Sequence, residues 1–150
     1  MSSLDYIHSS LIIDENEMYK IYLLFLIGII YFIHDYYTYK YKYKNCKNKF
    51  FVFFMLLIHH LFVSFLYFGW IFTNRNILIF YIITIFITII SQTVNENKCP
   101  STLYVNINCN MPKMKQFRDI LHFNNVKTKN TYNIIILTCF LIAFYKLSII

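Results

Sequence analysis

A chain of 150 residues with a mean hydropathy of +0.49 is at most one domain and too apolar for an ordinary soluble one. Two glycines cannot build a phosphate-cradling loop, and no apolar span holds two carboxylates for acid–base work. The net charge of +7 carries less weight: Ile, Phe, Tyr, Asn and Lys fill 82 positions and Lys outnumbers Arg twelve to two, a pattern of A/T-biased coding, so placement along the chain tells more than totals.

The N-terminal stretch is acidic (Asp5, Asp14, Glu15, Glu17), the wrong sign for the leading region of a signal peptide, so the first apolar segment is expected to remain as an anchor. That segment, 19–37, is the weakest of four. Its strictly uncharged core, Ile21–Ile33, has 13 residues, but Lys20 can snorkel and Tyr19, Tyr36 and Tyr37 suit an interfacial belt. His34 and Asp35 are its candidate juxtamembrane residues. The loop 38–49 follows, opening on the run YTYKYKYK (37–44), which reads as a polybasic, aromatic interfacial segment for anionic headgroups at roughly 1 kcal/mol per Lys near the surface. Nucleic-acid binding is the disfavoured alternative, because basic juxtamembrane loops are the ordinary topology signal.

The second span, 50–72, holds 23 residues without a formal charge, about 34 Å as a helix against a bilayer core of about 30 Å. The third, 77–94, follows after the short turn Thr73–Asn76, which forces an antiparallel hairpin. The loop 95–131 opens with NENKCPSTLY, where Glu96 and Cys99 are candidate juxtamembrane residues and Cys-Pro predicts an extended exit from the membrane. Within it, 110–126 carries an amphipathic helix signature: Asn110 as cap, Pro112 in the first turn, and Met114, Phe117, Ile120 and Leu121 on one face. The fourth span is 132–150. The fold class is therefore an all-α integral membrane domain of four transmembrane helices, with a hairpin of the second and third and a cytosolic amphipathic helix.

Four spans place both termini and the 73–76 turn on one side. That side holds Lys20, Arg75 and Lys146, whereas the loops 38–49 and 95–131 hold eleven Lys or Arg, so both loops are expected in the cytosol and the termini outside or in a lumen. Cys46, Cys99 and Cys109 are then expected as reduced thiols, and Cys139 as an apolar filler in the fourth helix.

Polar residues inside the spans supply the candidate site. His60, Ser64 and Tyr67 follow i, i+4, i+7 in the second span, and Tyr81, Thr84 and Thr88 follow i, i+3, i+7 in the third. Counted from the turn, Tyr67 is level with Tyr81, Ser64 with Thr84 and His60 with Thr88, which predicts interhelical hydrogen bonds. His59 lies about 100° around the helix from His60 and needs another partner, with Tyr31, His34 and Thr138 as candidates.

The stretches HHLFVSFLYFG (59–69) and CPST (99–102) together resemble a family of small bacterial membrane proteins of unknown function, which carry a His-Leu-Leu-Phe-Val-x-Phe…Gly helix and then Cys-Pro-Leu-Thr. Comparable patterns occur in proteins of large DNA viruses. Ser101 departs from the family's Leu, and the resemblance covers less than a third of the chain. It implies no biochemical activity, only that the histidine pair and Cys99 form one constellation.

No nucleophile–base spacing is readable in the sequence. The function expected is a non-enzymatic assembly, structural or interaction subunit, touching anionic lipid through its Lys-rich loops and a membrane-protein partner or a second copy of itself. No cofactor is predicted. A haem- or metal-binding redox protein using His59 or His60 is the alternative, and a small oligomeric channel is the third reading.

Overall fold

The computed structural model describes residues 14–95, 99–110 and 129–150. Among them are five α-helices: α1 (Glu15–Tyr43), α2 (Lys49–Phe68), α3 (Arg75–Val94), α4 (Pro100–Asn108) and α5 (Lys129–Ile149), with a 3₁₀ turn at Gly69–Ile71 closing α2. Four stretches are long and apolar enough to cross a membrane: Glu15–Thr38, Lys49–Ile71, Arg75–Val94 and Tyr132–Ile149. The amphipathic helix expected at 110–126 lies, apart from Asn110, outside the described residues. Its expected cap, Asn110, instead closes the turn after α4 in the left-handed region (φ 55°), which Asn tolerates better than most residues.

Local sequence explains the helix starts. Asp14 caps α1 by accepting from the Glu17 N–H at 2.7 Å, and Glu15 and Glu17 favour the positive end of the helix dipole. Asn48 caps α2 and Asn74 caps α3 in the same way. Pro100 opens α4, its fixed φ suiting the first helical turn. Cys99 before it is extended (φ −68°, ψ 139°), as expected of a residue preceding proline, and a helix follows from Pro100. By contrast, α1 runs six residues past its expected end at 37. Tyr36 and Tyr43, seven residues apart on one face, stack at 6.0 Å, and Tyr36 also meets the edge of Phe53, so the extra turns have a surface to pack on.

The bundle is centred on α2. Of its span, 44% is buried, against 22%, 22% and 17% for the spans of α1, α3 and α5. One core joins Val63, Leu66 and Tyr67 of α2 to Leu24, Leu78, Tyr81, Ile85, Ile136, Cys139 and Ala143. A second, at the other end, joins Val52 and Leu56 to Phe32, Tyr43, Cys46, Val105 and Cys109. Two glycines permit close approach. A Cβ on Gly28 would lie 3.0 Å from the Leu61 Cα and 3.1 Å from the Ser64 Oγ, so α1 and α2 cross with small residues at the contact. A Cβ on Gly69 would overlap the ring of Tyr81, which is fully buried and donates its hydroxyl to the Leu66 carbonyl at 2.7 Å.

Polar contacts tie each end. At one, the buried Glu17 accepts from the Thr73 N–H at 2.8 Å, from the Thr73 hydroxyl and from Lys20 Nζ at 2.9 Å, while Lys146 Nζ donates to the Trp70 carbonyl at 2.9 Å. The start of α1, the α2–α3 turn and the last turns of α5 thus meet. At the other end Cys46 and Cys109 form a disulfide, and the Lys47 N–H donates to the Asn108 carbonyl at 2.9 Å. This corrects the expectation of reduced thiols at 46 and 109. The positions are 63 residues apart, and the return of α4 along α2 is what brings them together.

Candidate functional site

Where α1, α2 and α4 meet, the interior turns polar. Asp35, His59, His60, Ser64, Thr102 and Asn106 are all buried there, with Asp35, His60 and Thr102 each 1% exposed. Asp35, expected beside the membrane surface, lies inside the bundle. His60 Nε2 stands 3.3 Å from Asp35 Oδ2, and the Tyr43 hydroxyl donates to the same oxygen at 3.2 Å. Which of the two atoms donates follows from the His60 tautomer, and the contact orients the imidazole toward α1. Phe32, one turn before Asp35, closes on the imidazole with ring centroids 6.3 Å apart.

This pairing replaces the expected one. The stripes on α2 and α3 do not bond rung by rung: Ser64 Oγ donates to the His60 carbonyl, Thr84 to the Phe80 carbonyl and Thr88 to the Thr84 carbonyl. Each hydroxyl satisfies itself four residues back on its own helix, which leaves His60 to the acid on α1. Tyr67 is buried and meets the edge of Tyr132 on α5. The hairpin is held instead by Tyr81 on the Leu66 carbonyl.

His59 faces α4. Its Nδ1 lies 3.6 Å from Cys99 Sγ, which is itself 3.3 Å from Ser101 Oγ. Of the partners expected for His59, Thr138 is exposed and bonds within its own helix, and His34 is exposed on α1. Glu96 lies outside the described residues. The two adjacent rings sit 5.4 Å apart at 77° and serve different neighbours, an acid and a thiol. Cys99 is half-buried at the N-cap of α4, and its sulfur accepts from no backbone N–H of the first turn.

Three residues the sequence did not flag complete the cluster. Tyr43 closes over Asp35 from the unexpected extension of α1. Thr102 and Asn106 point from α4 into the bundle, four residues apart on one face. Hydrogen-bond partners among the described residues are lacking for Asp35 Oδ1, His60 Nδ1 and Thr102 Oγ1. Among the described residues no group of three His, Cys, Asp or Glu side chains is placed to hold a metal ion. The arrangement can orient two imidazoles, hold a proton between Asp35 and His60, and offer a thiol beside a base.

Compared with known proteins, the chain matches no family model, no curated protein and no solved structure.

Proposed function

We propose that this chain is a multi-pass membrane protein that works as an assembly or interaction subunit, with its Lys-rich end in the cytosol against anionic lipid. One observation carries this reading: the outward faces of α1, α3 and α5 are lined with large apolar side chains left exposed, among them Phe25, Ile30, Phe80, Ile87, Leu137 and Phe144. Such a surface requires lipid or partner helices around it. Lys44, Lys47 and Lys49 are exposed together at the disulfide end, where anionic headgroups would meet them.

Charge and disulfide pull the orientation in opposite directions. Eleven basic residues favour the cytosol for that end, whereas a Cys46–Cys109 bond favours an oxidising side. We place the basic end in the cytosol on the charge count, and the disulfide is the observation that argues for the opposite orientation.

The resemblance to small bacterial and viral membrane proteins belongs to the same proposal. Its support is that the two halves of the motif, 59–69 and 99–102, touch through His59 and Cys99. The second reading, a metal- or haem-binding redox protein, rests on that same nitrogen–sulfur pair.

Protein reconstituted in liposomes tests the choice. The subunit reading expects colourless protein, ion flux at the level of empty liposomes, and anionic lipid or further copies of the chain retained in native mass spectra. Stoichiometric haem or metal lost on His59→Ala would replace it with the redox reading, and flux above background would replace it with a channel.

A further inference from the structure

We propose that Cys99 is a site of S-acylation, that the fold supplies the catalytic groups for its own modification, and that the donor is a long-chain acyl-coenzyme A. Three separate features of the site converge on acyl transfer to sulfur. The nucleophile and a base are in contact, with Cys99 Sγ 3.6 Å from Nδ1 of the buried His59. The thiol belongs to the N-cap residue of a nine-residue helix, so the N–H groups of Ser101 and Thr102 lie in the turn that follows it. Thr102 Oγ1, 1% exposed and in that same turn, lacks a hydrogen-bond partner among the described residues. Donors grouped beside a nucleophilic sulfur are what a tetrahedral oxyanion requires.

The surroundings select the acyl donor. Cys99 is half-buried at the level of the α2 span, where an acyl chain can lie in the bilayer. The opposite end of α4, about 13 Å away by helical rise, is bonded to Lys47 between the exposed Lys44 and Lys49. A coenzyme A thioester has the matching shape: a polyphosphate head for the lysines, an extended pantetheine arm, and a carbonyl at its far end. His59 Nδ1 takes the Sγ proton as sulfur attacks that carbonyl. The Cys99 S–C bond forms, the coenzyme A S–C bond breaks, and the proton passes to the departing coenzyme A thiolate. No oxidant or metal is needed. The proposal rests on the cytosolic orientation given above, where acyl-coenzyme A is met.

Full-length protein in phospholipid nanodiscs is incubated with palmitoyl-coenzyme A, and acylated peptides are mapped by mass spectrometry. The expected result is one hydroxylamine-labile acyl group on Cys99, absent from Cys99→Ser, with Cys139 unmodified. His59→Gln should slow the reaction roughly 100-fold, the ordinary worth of a general base. Its fold is checked by the Cys46–Cys109 bond on non-reducing gels. Changing Lys44, Lys47 and Lys49 together to Gln should raise the half-saturating palmitoyl-coenzyme A concentration and leave the maximal rate unchanged. Equal acylation of Cys99→Ser, an unchanged rate in folded His59→Gln, or no acylation at all would each overturn the proposal. Because the reaction is read in nanodiscs, its failure leaves the subunit reading and the orientation standing.

Discussion

Asp35 and His60 form an acid–imidazole pair inside the bundle, 3.3 Å apart, with each side chain sealed from solvent to within 1%. Removing one partner leaves the other buried without it, and such losses run to about 3–5 kcal/mol. Asp35→Ala should therefore lower thermal stability in detergent sharply. Replacing both residues with Leu should recover much of the loss, because the desolvation of both polar groups then disappears. Additive losses in the double variant would show that the two side chains act independently.

Gly69 and Tyr81 make a second testable couple. The ring occupies the space where a Cβ at 69 would be, so Gly69→Ala should cost roughly 1–3 kcal/mol through overpacking. Tyr81→Leu should cost stability alone, through the lost contacts and the stranded Leu66 carbonyl, but relieve the Gly69→Ala penalty when combined with it. A penalty that persists in the pair, measured by thermal unfolding, would move its cause from the ring to the α2 backbone.

These couples show what the sequence disclosed and what it hid. The four apolar helices were legible, because uncharged length is a property of one segment. The 73–76 turn also fixed which spans run antiparallel. The partner of His60 was not legible. Matching depths across the hairpin offered Thr88, but Thr and Ser hydroxyls bond back to their own helix at no tertiary cost, and a histidine cannot. The better signal was Asp35 itself, the one acid between Glu17 and Glu96, placed beside an apolar run. His59 and Cys99 were each singled out, but the sequence gives no sign that α4 turns back along α2 to join them. The lock of Glu17 on Thr73 was masked for another reason: an acid in a first helical turn already has a sufficient local explanation in the helix dipole.

That lock gives a third prediction. Glu17 accepts from the backbone and side chain of Thr73 and from Lys20, joining α1 to the α2–α3 turn. Glu17→Ala should leave the Thr73 N–H without its acceptor, costing about 1–3 kcal/mol. Hydrogen exchange should report faster opening at 72–76, while the disulfide end keeps its protection. Faster exchange at both ends would mean that the bundle unfolds as one unit.

The disulfide yields the fourth. Cys46 and Cys109 close a loop with a sequence separation of 63, for which a free chain would gain about 4 kcal/mol. With the helices in a bilayer, as proposed, the chain is already confined, so Cys46→Ser should cost less than that and act locally, loosening α4 from α2. Cys99 in that variant should react faster with a maleimide, since its contact with His59 depends on where α4 lies. An unchanged rate would mean that the packing of Val105 and Thr102 seats α4 without the bond.

Orientation can be read from the two exposed positions Lys44 and Arg75, which lie at opposite ends of the bundle. In a background with Cys99 and Cys139 changed to Ser, single Lys44→Cys and Arg75→Cys variants are treated in intact cells with a maleimide that cannot cross membranes. With the basic end in the cytosol, Arg75→Cys labels and Lys44→Cys does so only after permeabilisation. The reverse pattern would place the Cys46–Cys109 bond on an oxidising side. The eleven basic residues would then reflect coding bias in a Lys-rich chain rather than the signal that set its insertion.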